Sequence, residues 1–412
     1  MTTTPTVSTA SSAPTPTPPP ASPGERLRAV LQGNFRQYGM VAALAVIVIL
    51  FQVWTSGILL KPLNVTNIVQ QNGYILILAI GMVIVIISGH IDLSVGSIAG
   101  FVGAMSAVLM IRNDMPWPLA VGLCLLLGAL IGAWQGFWIA YVGIPSFIVT
   151  LAGMLVFRGA TQYLLEGQSI APFPRSFSQV SSGFLPEIGG GGGLYHWPTV
   201  ILGVFVMAAA VWQQVRQRRT QSRYGFDVSP LGWFVFKCAA IVAALAAFTL
   251  LLASYRGVPV VGIILAVAFV IYAFVMRSTV FGRQVYAVGG NEAAARLSGV
   301  KNKRVTFLVF VNMGLLSALA GLLFAARLNS ATPQAGIGME LEAIAAAFIG
   351  GASASGGVGT VLGAIIGGFV LGVLNNGMSL IGIGSDVQQV IKGLVLLAAV
   401  GFDIYNKKKG GS

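Results

Sequence analysis

Long apolar windows separated by short polar segments dominate this chain. Windows of about 20 apolar residues recur along it, which is the length that a helix needs to cross about 30 Å of hydrocarbon. The pattern predicts an all-α polytopic membrane protein with about twelve spans, one of them short. They are expected at about 38–60, 66–88, 93–111, 117–142, 146–165, 197–213, 232–254, 257–277, 304–327, 340–351, 357–380 and 386–405.

The composition excludes a soluble globular protein. Hydrophobic residues make up 56% of the chain and charged residues 8%, against about 25% charged residues in a soluble domain. The net charge of +13 does not indicate a nucleic acid partner, because the basic residues lie between apolar runs and are not interleaved with stacking aromatics. Cys124 and Cys238 lie in apolar runs without a CxxC neighbour, which predicts core packing and neither a disulfide nor a metal site. The lipid bilayer is the expected environment.

The distribution of Lys and Arg predicts that both termini face the cytoplasm. With twelve spans in that orientation, sixteen of the 24 basic residues lie in cytoplasmic segments, five in outer loops and three within spans. This is a positive-inside bias, and it predicts a multi-pass protein of the bacterial inner membrane. Residues 1–25, rich in Thr, Ser, Pro and Ala, are predicted to be a disordered cytoplasmic tail, followed by a membrane domain at 38–405 and a basic cytoplasmic tail at 406–412.

The longest outer segment, 166–197, contains Pro172, Pro174, Pro186 and a glycine run at 189–193, and it shows no helical periodicity. These features predict a loop on the periplasmic surface. The loop either meets a partner outside the cell or only tethers the spans on its two sides, and the sequence leaves both open.

Two stretches of the chain resemble each other, residues 86–104 and 349–367. A shift of 263 residues aligns several small residues, for example Gly96 with Gly359. Both stretches have the same predicted orientation, which indicates a parallel duplication, although a general bias towards small residues accounts for some of the matches. In each copy an apolar run ends, a Gly/Ser-rich break follows, and a small-residue helix begins.

The breaks predict a translocation pathway. The element at 340–351 is only roughly 18 Å long as a helix and cannot cross the bilayer. Non-helical backbone at membrane depth is tolerated only where protein buries it or water lines it, because unsatisfied peptide groups cost several kcal/mol in hydrocarbon. Polar side chains near the breaks are the expected lining, since they can replace water around a polyhydroxylated solute. They are Gln71, Asn72, Asp92, Ser94, Ser353, Ser355, Asn375 and Asn376.

Several of these side chains have an alternative structural role. Asp92 and Ser94 can instead cap the following helix, whose N-terminus favours an acceptor.

Two cations within the predicted spans, Arg158 and Lys392, each need a partner or water. Glu342 is the nearest carboxylate in depth. Alternatively both cations snorkel towards the outer interface, which is the expectation for Lys392.

The cytoplasmic segment 278–303 predicts a short amphipathic helix lying across the inner face. Asn291 is suited to cap it, Glu292 lies in the favourable first turn, and Gly299 ends it. Within this segment the sequence GGNEAAARLSG resembles the cytoplasmic coupling helix of the ribose/xylose-type permeases of ABC importers. The stretches SGHIDLSVGS and LNNGMSLIGI resemble two further signatures of that family, and the resemblance covers about 60–405.

The resemblance implies a ten-span permease core, and the two extra spans at 197–254 are similar to those of the D-xylose permease branch. One departure is His90, where the family commonly has Gly. The resemblance further implies a homodimer of permeases, a cytoplasmic ABC ATPase and a periplasmic sugar-binding protein. The residues implied to couple to the ATPase are Gly290, Asn291, Glu292, Ala293, Ala294, Arg296, Leu297 and Gly299.

The chain itself is predicted not to be an enzyme. None of its lysines follows a glycine, so it lacks the GxxxxGK[ST] phosphate loop, and ATP and Mg are expected on the partner ATPase. The expected function is import of a monosaccharide, xylose or a related sugar, by alternating access. The rival hypotheses are a proton-coupled secondary sugar transporter using Asp92, His90 or Glu342, an ABC importer of another sugar, and a scaffold or channel.

Overall fold

The computed structural model describes residues 35–187, 195–225, 228 and 230–410, and the side chains of most of them. The predicted tail at 1–25 lies outside the described residues. Regular structure in the described part is helical, apart from two isolated bridges that join Ile170 to Ala331 and Phe184 to Pro259.

The helices follow one another with short connections. They are α1 (Phe35–Trp54), α2 (Pro62–Ile87), α3 (Val95–Ala107), α4 (Trp117–Phe137), α5 (Ser146–Leu165), α6 (Arg175–Ser182), α7 (Trp197–Arg223), α8 (Leu231–Ala253), α9 (Val260–Ser278), α10 (Val280–Gly290), α11 (Glu292–Leu297), α12 (Asn302–Leu328), α13 (Met339–Ile349), α14 (Val361–Leu380) and α15 (Ser385–Gly410). Single turns of π-helix extend α3 to Arg112 and α4 to Val142.

Nine helices of the described chain are long and apolar enough to cross a membrane, which confirms the all-α polytopic prediction. Of the other predicted spans, the first is a helix with a shorter apolar stretch, Gly39–Trp54. The element predicted at 340–351 is α13, whose 11 residues are indeed too few to cross. The last is α15, which continues through 406–410 of the predicted basic tail.

The centre of the bundle is formed by α2, with α12, α13 and α14 packed around it. Its apolar window is 83% buried, because neighbours cover every side of a helix that is apolar all round. Helices α7 and α8 are the opposite case. Their windows are only 11% and 6% buried, so they form a peripheral pair that leaves most of its apolar surface to lipid.

Two local predictions were wrong. Residues 175–182 of the outer segment form α6, which buries Phe177 against the bundle, so that part is not an irregular loop. The span predicted at 197–213 lies within α7, whose helix continues to Arg223. The segment predicted to hold one short cytoplasmic helix also contains α10, which begins at a Thr279 cap. The glycine run at 189–193 lies outside the described residues.

Candidate translocation and coupling sites

The two broken elements predicted from the sequence pack against each other. The first break, 88–94, lies between α2 and α3, and the second, 350–360, lies between α13 and α14. The backbone N–H of Gly357 in the second break donates to the carbonyl of Ile87 at the first, over 2.8 Å. Near the start of α3, a Cβ on Gly96 would lie 2.3 Å from the carbonyl of Gly336, so only the absence of side chains permits this approach.

The structure also bears on the internal similarity. Helices α2 and α13 run towards the same end of the bundle, where Ile87 meets Gly357, and α3 and α14 return from it. The order of helix, break and helix therefore matches between the two stretches. The aligned register does not, since α3 begins at Val95 whereas α14 begins at Val361, three residues after Val358. The duplication itself stays a prediction.

The predicted coupling helix forms as α11. The Asn291 side chain accepts a hydrogen bond from the N–H of Ala294 at 2.9 Å, which confirms its capping role. Gly299 follows the helix with φ +84°, and Asn302 at the start of α12 donates from its side-chain amide to the carbonyl of Glu292 at 2.8 Å. The helix is therefore held at both ends.

The side of α11 that faces away from the bundle is exposed to solvent. Of the predicted coupling residues, Gly290, Asn291, Glu292, Ala293, Ala294, Arg296, Leu297 and Gly299 are all exposed. Only Ala295 points inwards, and Leu297 is 88% exposed. Exposed Leu297, next to Arg296 and one and a half turns after Glu292, gives α11 both an apolar anchor and charges of opposite sign. Such a mixture is suited to binding another protein.

Helix α10 joins this exposed face to both breaks. At its end, Gly289 packs so closely on α2 that a Cβ would lie 1.6 Å from the carbonyl of Ile87 and 2.8 Å from the N–H nitrogen of Gly357. One turn earlier, the Tyr286 hydroxyl donates to the carbonyl of Gly359 at 2.8 Å. A movement of α10 and α11 therefore acts directly on the backbone of the two broken elements.

Four of the eight predicted pathway residues lie in the two breaks, and the other four lie along α2 and α14. Asp92 and Ser94 form a buried cluster at the first break with Gln135 of α4, which the sequence analysis missed. The Asp92 carboxylate accepts from both the N–H and the hydroxyl of Ser94, at 2.8 and 2.6 Å. Asp92 thus braces the turn that leads into α3, whereas the Ser94 side chain makes no capping hydrogen bond, so that part of the capping alternative was wrong.

The second group lies on α2 and α14 away from the breaks. Asn376 exchanges side-chain amide hydrogen bonds with Asn64 at 2.8 and 3.0 Å, and Asn375 donates to Glu342 at 3.5 Å. Asn72 is buried and bonds to its own helix, whereas Gln71 is exposed. The third group is Ser353 and Ser355, whose hydroxyls lie 3.2 Å apart in the second break, with Ser353 fully buried. Their role in a pathway stays a prediction.

Two of the three cations predicted within the spans, Arg158 and Lys392, are paired. Lys392 of α15 lies 2.8 Å from Glu342 of α13, the carboxylate named as its candidate partner from the sequence. Arg158 of α5 lies 3.4 Å from Glu340 rather than from Glu342. The short helix α13 is thereby attached to α5 on one side and to α15 on the other. No cluster of three His, Cys, Asp or Glu side chains that could hold a metal occurs among the described residues.

Comparison with known proteins gives a consistent result. A family model described as "Branched-chain amino acid transport system / permease component" matches residues 64–400. The xylose transport system permease protein XylH of Haemophilus influenzae is 40% identical over 91% of this chain and 98% of that protein, and XylH of Escherichia coli K12 is 40% identical over 91% and 93%. The ribose import permease protein RbsC of Bacillus subtilis is 34% identical over 92% of this chain and 96% of that protein.

No solved structure matches the chain. The family match covers the two breaks, the coupling segment and both ion pairs, and the relatives align along nearly their whole length. The chain is therefore a member of the branched-chain amino acid transport system / permease component family.

Proposed function

We propose that this chain is the permease subunit of an ABC importer that carries xylose across the inner membrane. Its nearly full-length similarity to two xylose permeases, and its lower similarity to ribose permeases, support a pentose as cargo. The observation that carries the mechanism is the contact of Gly289 with Ile87 and Gly357, because it links the exposed α11 to both broken elements.

In this mechanism the ATPase on a separate chain binds α11 through the exposed Glu292, Arg296 and Leu297. ATP and Mg bind to that partner, and closure of its nucleotide sites displaces α11 and α10 together. Gly289 and Tyr286 pass the displacement to Ile87 and Gly359, so the two breaks move in concert. Two rearranging elements within a rigid bundle can expose a central site first to one side and then to the other.

Two further partners belong to the proposal. A periplasmic sugar-binding protein delivers xylose to the outer face, where α6 provides a helical surface. A second copy of the chain completes the pathway. Sugar selectivity then resides mainly in the binding protein.

Substitution of the exposed charges on α11 tests the mechanism. We expect Glu292→Ala with Arg296→Ala to abolish ATP-dependent xylose uptake and co-purification of the ATPase, since both side chains are exposed on α11. Lys303→Ala removes an exposed charge outside α11 and is the matched control. Normal uptake by the α11 variant, with the control also normal, contradicts the proposal.

A proton-coupled secondary transporter is the rival function. Its carboxylate candidates already have structural partners, because Asp92 braces its own turn and Glu342 is bound by Lys392. Liposomes containing this chain alone decide between the two. Xylose accumulation driven by a proton gradient without ATPase favours the rival, whereas uptake that requires the ATPase and ATP favours the importer.

A further inference from the structure

Helix α7 is longer than a bilayer requires, and its additional length is basic. Its 27 residues extend about 40 Å, about 10 Å more than the hydrocarbon core. Trp197 to Trp212 are largely apolar, and the last three turns carry Arg216, Arg218, Arg219 and Arg223. The segment 197–225 contains no Asp or Glu.

Most of the arginines line one shallow groove. It is formed by Trp212, Val215, Arg216, Arg219, Thr220 and Arg223, which are three and four residues apart and so share one face of the helix. We name these six residues the basic groove. The Arg216 guanidinium lies over the Trp212 ring at 5.4 Å from its centroid. Since tryptophan prefers the depth of the lipid headgroups, the groove begins at the membrane surface.

The charges of the groove are not neutralised within the described part of the chain. No ion pair joins Arg216, Arg219 or Arg223 to a carboxylate there. Arg218 differs, because it points towards α8 and lies 4.7 Å from the centroid of the Phe234 ring. Lys237, one turn further along α8, adds another cation on the same side of the membrane.

The surroundings of the groove are lipid rather than protein. The apolar windows of α7 and α8 are 11% and 6% buried, so the bundle leaves this pair exposed to acyl chains. A ligand here would meet hydrocarbon contacts from Trp212 and Val215 and three guanidinium groups immediately beyond them. Guanidinium binds phosphate through paired hydrogen bonds, and basic clusters next to a membrane helix attract anionic lipids.

We propose that the basic groove binds the headgroup of an anionic phospholipid of the cytoplasmic leaflet. The phosphate lies against Arg216, Arg219 and Arg223, and the acyl chains lie along the apolar face of α7 below Trp212. The site is independent of the translocation pathway and of α11, because both lie on other helices. It anchors the peripheral pair α7 and α8 at a fixed depth in the membrane.

Native mass spectrometry of the full-length chain tests this proposal. The chain is purified in mild detergent and supplied with equimolar phosphatidylglycerol and phosphatidylcholine. We expect retention of phosphatidylglycerol over phosphatidylcholine in the unmodified protein. The triple variant Arg216→Gln, Arg219→Gln, Arg223→Gln should weaken that retention at least about tenfold, because each basic residue near an anionic surface contributes about a fivefold factor.

A second triple variant provides the matched control. Lys407→Gln, Lys408→Gln, Lys409→Gln removes the same charge from another predicted cytoplasmic segment, and its retention of phosphatidylglycerol should fall clearly less than that of the arginine variant, because these lysines are not part of the basic groove. Equal loss in both variants, equal retention of the two lipids, or displacement of phosphatidylglycerol by millimolar inorganic phosphate would each overturn the proposal. An unchanged melting temperature shows that the arginine variant is folded. If that variant melts early, Arg219→Gln alone is tested with the same expected direction.

Discussion

A methyl group at Gly289 is the smallest change that should disconnect α11 from the two breaks. Its Cβ would lie 1.6 Å from the carbonyl oxygen of Ile87, whereas ordinary contact begins at 3.4 Å. Helix α10 and the end of α2 must therefore separate by about 1.8 Å, the difference between these two distances. The hydrogen bond from Gly357 to Ile87, 2.8 Å long, lies at the same point and cannot keep its geometry.

The energetic cost is small compared with the functional effect. Overpacking of this kind destabilises a protein by about 1–3 kcal/mol, and the higher helix propensity of alanine offsets about 1 kcal/mol. The net destabilisation is therefore about 0–2 kcal/mol, which leaves the protein folded. Loss of the contact removes the coupling between α11 and the breaks, and we expect ATP-dependent xylose uptake to fall by about tenfold or more, as typical coupling free energies imply.

A glycine on another helix provides the control. A Cβ on Gly122 of α4 would have nothing within 4 Å, so Gly122→Ala makes the same chemical change without a clash and outside the coupling segment. In proteoliposomes containing the complete importer, Gly289→Ala should hydrolyse ATP with little uptake, whereas Gly122→Ala should transport within about twofold of the unmodified protein. Normal uptake by Gly289→Ala, or an equal loss in both variants, would refute the role of this contact.

Other predictions concern the ion pairs and the helix cap. Arg158→Gln leaves the buried carboxylate of Glu340 without its cation, and we expect about 3 kcal/mol of destabilisation, measured by unfolding in mild detergent. Adding Glu340→Gln should restore part of that loss, and no restoration would contradict the pairing. Lys392→Gln leaves a carboxylate, Glu342, that is more exposed than Glu340, and should cost only about 1 kcal/mol. Asn291→Ala removes a cap worth about 1 kcal/mol, so amide hydrogen exchange across 291–299 should accelerate, and unchanged exchange would count against it.

Local chemistry explains which parts of the site the sequence could predict. The cap at Asn291 and the end of α11 at Gly299 depend on residues within one or two turns, and both are as predicted. The shortness of α13 follows from the length of its apolar run. The partners of Arg158 and Lys392 depend instead on which helices are neighbours. Depth alone does not distinguish Glu340 from Glu342, two residues apart on one helix.

The same reasoning accounts for the residues that were missed. Gln135 reaches Ser94 from a helix 41 residues away, and Asn64 meets Asn376 across 312 residues, so neither contact has a local signal. Helix α10 was missed because its sequence contains three glycines, which weaken a helical pattern. In the structure Gly289 lies so close to α2 that a side chain has no room there, so position 289 needs glycine for packing rather than for helix formation.

The sequence by itself determined that this protein lies in a lipid bilayer. It also determined the number and approximate position of the long helices, the location of the breaks, and the short helix α11 with its cap. These properties follow from hydrophobic runs and from capping residues, which act over a few turns. Only the tertiary structure decided that the two breaks contact each other and that α10 joins α11 to both of them. It also decided that α5 and α15 hold the short helix α13 through ion pairs. The physical reason is that close backbone contacts and charge pairs depend on which helices pack together, and many different arrangements satisfy the same pattern of apolar windows.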